Sequence, residues 1–120
     1  MAFTFEKLEV YQKSLEFVED IEELTQDLKC KVSFSLIDQL QRSAISIPLN
    51  IAEGKGRFHK KDKINFFYIS RSSIFECVPI LQVLKFRNKI NDDVYDKLYS
   101  KLEILSKMIS GLINSIEKSH

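Results

Sequence analysis

Apolar residues recur along this chain at three- and four-residue steps, in four blocks separated by short polar breaks. That spacing gathers them on one side of a helix and does not fit the two-residue alternation of strands. In the first block two stripes run side by side: Leu8, Tyr11, Leu15 and Val18, and next to them Val10, Ser14, Phe17, Ile21, Leu24 and Leu28. Thr4 is placed to cap this helix, with Glu6 in its first turn. The second block carries Ile37, Leu40, Ala44, Ile47 and Ile51. Ser33 or Ser35 caps it, Asp38 completing a capping box with Ser35, and Gly54 and Gly56 offer the left-handed conformation that ends it. The third reads Phe66, Ile69, Ser73, Glu76, Ile80 and Val83. The fourth, opened by Asn91, Asp92 and Asp93, has the most regular stripe: Tyr95, Leu98, Leu102, Leu105, Ile109, Leu112 and Ile116. The predicted helices span about 5–28, 34–55, 61–87 and 92–117.

Four long helices joined by short connections predict an all-α fold, an antiparallel up-down-up-down four-helix bundle in which residues 1–120 form one domain. Only 3 Gly and 2 Pro argue against a turn-rich β fold. Both prolines fall inside helices. Pro48 removes one amide donor and crowds the Ala44 carbonyl, so a kink is expected in the second helix, with the Ser43 and Ser46 hydroxyls placed to satisfy the freed carbonyl. Pro79 should bend the third helix in the same way.

The second helix also bears a polar stripe: Gln39, Ser43, Ser46, Asn50, Glu53 and Arg57. A solvated face would carry mostly Lys and Glu; small uncharged groups suit close, hydrogen-bonded contact between helices or between copies of the chain. Folding the second and third helices back on each other around Phe58 brings residues whose numbers sum to about 117 to one height. Ser43 then meets Ser73, and Arg42 meets Glu76 on an otherwise apolar stripe. A semi-buried Arg42–Glu76 pair is predicted, fixing register without doing chemistry. The same register separates Cys30 from Cys77 by about 15 Å along the axis, too far for a disulfide.

Charge alters this picture little. Eighteen basic and 17 acidic residues give a net charge of +1, a balance that does not advertise nucleic-acid binding. Acids gather on the first helix (Glu16, Glu19, Asp20, Glu22, Glu23), read as a solvated face, and Lys97, Lys101 and Lys107 on the fourth can complement them. The start of the chain shows no signal peptide and no apolar run reaches bilayer length, so a cytoplasmic protein without a membrane partner is expected. His59 and His120 are too few and too distant for a metal site. Gly54-Lys55-Gly56 ends a helix and so is discounted as a phosphate loop. Glu53 and Glu76 differ by about a dozen residues in height and make no acid/base pair. No catalytic residue, cofactor or small-molecule substrate is indicated, and the expectation is not an enzyme. The one functional candidate is the basic turn with Lys55, Arg57, Phe58, Lys60, Lys61 and Lys63, where an aromatic among cations suits RNA or DNA. Its plainer reading is a set of cations complementing a helix C-terminus.

The run from Gln39 to Gly54, with Ser-Ile-Pro-Leu-Asn-Ile-Ala-Glu-Gly at Ser46 to Gly54, then the basic turn, Phe66-Phe67 and Ser73 to Glu76, resembles the 23S rRNA-intervening-sequence proteins, or four helix bundle (S23-like) proteins. The opening from Phe5 to Tyr11 and the ending from Met108 to Ile113 fit as well. This resemblance implies a four-helix bundle assembled as a cyclic homopentamer. In such an assembly Ser46, Asn50 and Glu53 are expected to make subunit contacts or to hold the bent turn at Pro48. A related branch, the accessory variability proteins of diversity-generating retroelements, works with a reverse transcriptase and its RNA, so a reverse transcriptase is an implied partner too. The family has no established catalytic residues to carry over. Pro79 and the near-zero net charge depart from the pattern.

Overall fold

A computed structural model describes residues 2–119; His120 lies outside them. A short 3-10 turn, Thr4–Lys7, precedes four helices: α1 (Glu9–Leu28), α2 (Phe34–Gly56), α3 (Lys60–Phe86) and α4 (Asp92–Lys118). No strand occurs among the described residues, and no described helix is long and apolar enough to cross a membrane. The rod measures 50 × 25 × 21 Å. Side-chain contacts fix its antiparallel order: Gln41 of α2 reaches Glu22 and Thr25 of α1, Ser70 of α3 reaches Ile47 of α2, Gln82 of α3 reaches Tyr95 of α4, and Lys101 of α4 pairs with Asp20 of α1. Numbers rise along one helix as they fall along its neighbour, and α2 and α3 share the most extensive contact.

The core follows the α2 and α4 stripes and the second α1 stripe closely; in the first α1 stripe Leu8, Tyr11 and Val18 are half-buried and Leu15 is exposed. Val10, Phe17, Ile21 and Leu28 of α1, Leu40, Ala44, Ile47 and Ile51 of α2, and Leu98, Leu102, Leu105 and Ile109 of α4 are all buried. In α3 the phase differs from the predicted one. Phe67, Ser70, Ser73, Ile74, Cys77, Ile80, Leu81 and Leu84 face inward; Phe66 and Val83 are half-buried, and Ile69 and Glu76 are exposed. The reason is that α3 carries apolar residues on nearly every side, so periodicity alone does not choose a face.

Several ends also depart from the sequence expectation. Thr4 does not cap α1. It begins the 3-10 turn, whose Glu6 carboxylate accepts a hydrogen bond from the Phe3 N–H at 3.0 Å. Leu8, in extended conformation, then redirects the chain, which lets Phe5 pack edge-on against Tyr11, 5.0 Å between centroids. Ser33 caps α2 by accepting from the Leu36 N–H at 3.3 Å, and Asn91 caps α4 through Val94 at 2.8 Å. α1 and α3 are closed by Cys30 (φ 67°) and Asn88 (φ 57°), the two non-glycine residues with left-handed backbone among the described residues. The expected glycine cap is absent: no glycine has positive φ, and α2 runs helically through Gly54 to Gly56.

Gly54 has a different job. A Cβ built there would lie 2.7 Å from Phe67 Cε1 and 3.1 Å from the Lys63 carbonyl oxygen. The missing side chain is what lets α2 and α3 approach at that level. Both prolines sit inside unbroken helices, Pro48 buried and Pro79 exposed. Cys77 is buried and Cys30 exposed, both as free thiols. Burial, reinforced by the neighbouring Glu76 carboxylate, pushes the Cys77 thiol up to about 12, which leaves it an inert core residue.

Gly54→Ala should therefore destabilise the protein by about 1–3 kcal/mol, the cost of forcing an overpacked contact, despite alanine's better helix propensity. Gly56, with open space around it, is the control: Gly56→Ala should be neutral or stabilising in urea denaturation.

Candidate functional site

The polar stripe of α2 divides between two surroundings. Ser43 is buried and Ser46 and Asn50 are half-buried along the line where α2 meets α3. The Asn50 amide donates to the Ser46 carbonyl at 2.8 Å and to Ser46 Oγ at 2.9 Å. Ser73 Oγ from α3 lies 2.8 Å from Ser46 Oγ and 3.1 Å from the Ile69 carbonyl. One turn away the buried Ser70 hydroxyl donates to the Ile47 carbonyl at 2.9 Å. These serines permit close approach, and among the described residues no fully buried side-chain N or O atom lacks a hydrogen-bond partner, which avoids the cost of an orphaned polar group. The Ala44 carbonyl freed by Pro48 is not served as expected. The Ser46 hydroxyl is engaged with Asn50 and Ser73 instead, and no described hydrogen bond runs from Ser43 to that carbonyl.

At the edges the stripe is wet. Gln39, Glu53 and Glu76 are exposed. The predicted Arg42–Glu76 pair does not form: the Arg42 side chain, 80% exposed, donates from Nε to Asp38 Oδ2 one turn back at 2.9 Å, and Glu76 accepts from the Gln39 amide at 3.5 Å. The cause is the α3 phase. Glu76 stands outside the core stripe, so water solvates it and no counter-charge is demanded.

The basic turn between α2 and α3 holds its cations in different ways. Arg57 pairs with Glu53 at 3.0 Å and lies 4.6 Å over the Phe66 ring. Lys63 Nζ donates to the Lys55 carbonyl at 3.1 Å, satisfying one of the acceptors that a helix leaves open at its C-terminus. Lys60 reaches the Ser119 carbonyl and so ties the turn to the end of α4. The Lys55 and Lys61 side chains have no such partner among the described residues; Lys55 is half-buried and Lys61 exposed. Phe58 is 91% exposed, with the His59 ring edge-on to it at 5.2 Å. No metal-holding group of His, Cys, Asp or Glu occurs among the described residues.

Sequence reading missed a third feature. Between α3 and α4 lies a hollow of about 400 Å³ lined by Ile74, Phe75, Val78, Pro79, Tyr99, Leu102, Glu103, Ser106 and Lys107. Phe75 and Tyr99 are exposed on its sides. Above it Arg71 stacks near Tyr68 and Phe75, at 5.0 and 5.7 Å, and donates to Ser110 of α4 at 3.2 Å. The available signal was the surplus of apolar residues on α3, more than one core face can use.

The pattern of one family, described as 23S rRNA-intervening sequence protein, matches residues 6–111. The chain belongs to that family. A solved structure of a family relative is similar over nearly its whole length: a protein with unknown function from the S23 ribosomal protein family of Bacteroides thetaiotaomicron VPI-5482, 28% identical, with a TM-score of 0.83 over 87% of this chain and 97% of that one. No curated protein matches the chain significantly. Neither description names a catalytic activity.

Ser46→Ala would strip partners from both Asn50 and Ser73 and should cost about 1–2 kcal/mol of stability. Glu53→Gln, which breaks only an exposed ion pair, should cost about 0.5 kcal/mol or less. Urea denaturation of the two variants checks this order, and a reversal would mean the α2–α3 serines contribute no more than a solvated surface.

Proposed function

We propose that this chain is a non-enzymatic scaffold that closes with copies of itself into a ring, a homopentamer, and contacts RNA or DNA through the α2–α3 turn. The observation that carries the assembly is a pair of unlike apolar sides. On the α1–α2 side Leu15, Ile45 and Leu49 are exposed, beside the acidic residues Glu16, Glu19 and Glu22. On the opposite α3–α4 side Tyr68, Phe75 and Tyr99 are exposed around the hollow, beside the cations Arg71 and Lys107 and one acid, Glu103. Monomers rarely leave that much large apolar surface open on two sides. A ring needs two different contact surfaces on each copy, and opposite charge favours joining one to the other. The number five rests on the family resemblance. Within this reading α2 bends at Pro48, where the amide is missing, and Ser46, Asn50 and Glu53 lie close to the contact between copies.

Contact with nucleic acid rests on Lys55, Lys61 and the bare Phe58 ring, cations beside a surface on which a base can stack. A ring would repeat this weak feature and so raise its avidity. The second reading, a purely protein-binding assembly, is favoured by the internal engagement of Arg57, Lys60 and Lys63.

Two measurements test these readings. Leu49→Glu and Phe75→Glu should each reduce the assembly to monomers in sedimentation, and mixing the two variants should restore a capped dimer that cannot grow, because each retains one intact surface. Either variant keeping the wild-type size would remove that side from the contact. For nucleic acid, affinity for a structured RNA should fall steeply with salt and be lost in the Lys60→Glu, Lys61→Glu double variant; no binding at low salt selects the protein-only reading.

A further inference from the structure

The other end of the rod carries a second set of cations and bare aromatic rings. The α1–α2 and α3–α4 connections meet there, since Asp27 at the end of α1 and Val94 at the start of α4 line one hollow. The register set by Ile47 and Ser70 brings Phe34, the first residue of α2, to within about one helical turn of the height of Phe86, the last residue of α3. Phe34 is 81% exposed and Phe86 89%, so neither ring contributes to the core.

Lys29, Lys31, Arg87 and Lys89 flank these rings. All four are exposed, and none has an ion pair or side-chain hydrogen bond among the described residues. Lys85 nearby, by contrast, is used internally: it lies 3.8 Å from Asp92 and 4.5 Å from the centre of the Tyr95 ring. The two connections, residues 29–33 and 87–91, hold these four cations and no carboxylate; Asp27, Asp38, Asp92, Asp93 and Asp96 stand in the adjoining helix turns. Open rings among uncommitted cations are the parts from which single-strand binding surfaces are built, bases stacking while phosphates pair with Lys and Arg. A flat anionic membrane would press those surrounding carboxylates against its headgroups as well. A flexible strand can lie across the cations and pass the carboxylates by.

We propose that this end is a contact surface for single-stranded nucleic acid, with bases stacking on Phe34 and Phe86 and phosphates held by Lys29, Lys31, Arg87 and Lys89. It rests on the reading of the bundle as a nucleic-acid scaffold but uses the end opposite the α2–α3 turn. The chain has no tryptophan, so Phe86→Trp installs a single emission reporter at an exposed position. Adding single-stranded oligouridylate should quench that emission. Adding Phe34→Ala should weaken single-strand binding about tenfold or more and leave duplex affinity unchanged. Lys29→Glu with Lys89→Glu should flatten the salt dependence. Single-strand binding that leaves the reporter unquenched and is lost in the Lys60→Glu, Lys61→Glu variant would overturn this proposal and leave the α2–α3 turn as the site. Quenching or a blue shift with phosphatidylglycerol vesicles but not with oligouridylate would also overturn it, in favour of a lipid surface. No binding by either end at low salt removes both readings together.

Discussion

The close approach of α2 to α3 is the constraint on which the remaining geometry depends. Gly54 lets the Phe67 ring rest against the α2 backbone. Ser70, Ser46 and Ser73 carry the contact onward with small side chains whose hydroxyls stay hydrogen-bonded. Packing at this distance gains dispersion along two whole helices without burying an unpaired polar group. The ion pairs play a lesser part. Arg42–Asp38, Arg57–Glu53 and Lys13–Glu9 are exposed pairs one turn apart, a class that contributes little. The bundle is organised by shape and hydroxyl bonding, with charge distributed around the outside.

That distribution bears on function. α1 turns its acids outward, while both ends of the rod expose cations and phenylalanine rings. A net charge of +1 therefore averages over surfaces of opposite character. Charge summed over a chain describes steering poorly when faces are segregated this way. The apolar sides have the same doubled quality: Leu15 and Leu49 stand at matching heights on α1 and α2, and Phe75 and Tyr99 flank the hollow across the rod.

How much of this was legible in the sequence depended on how many faces each helix leaves polar. α1, α2 and α4 each keep one dominant stripe that holds most of the core, although Leu15, Ile45, Leu49 and Ile104 are exposed. α3 does not, because Tyr68, Ile69, Phe75 and Phe86 are apolar yet exposed, and the stripe through Phe66 and Glu76 fitted the spacing as well as the true one through Phe67 and Cys77. The Arg42–Glu76 expectation inherited that error. Gly54 was noticed for its backbone freedom, whereas its function is a steric clearance set by a residue on another helix. The left-handed caps at Cys30 and Asn88 carry no glycine to announce them. At the candidate site the basic turn was visible because its cations are neighbours in sequence. The Lys60 contact with Ser119 and the hollow between Phe75 and Tyr99 join distant segments, and no local pattern records them.

Pro48 and Pro79 each delete one rung from an otherwise continuous helix, but not at one level of the rod. In the register of Ile47 with Ser70, Pro48 faces the region of Ile69, about ten residues and roughly 15 Å of helix rise from Pro79. Each soft point is thus splinted by an intact stretch of the partner helix. The two missing rungs therefore never fall in a common cross-section of the rod.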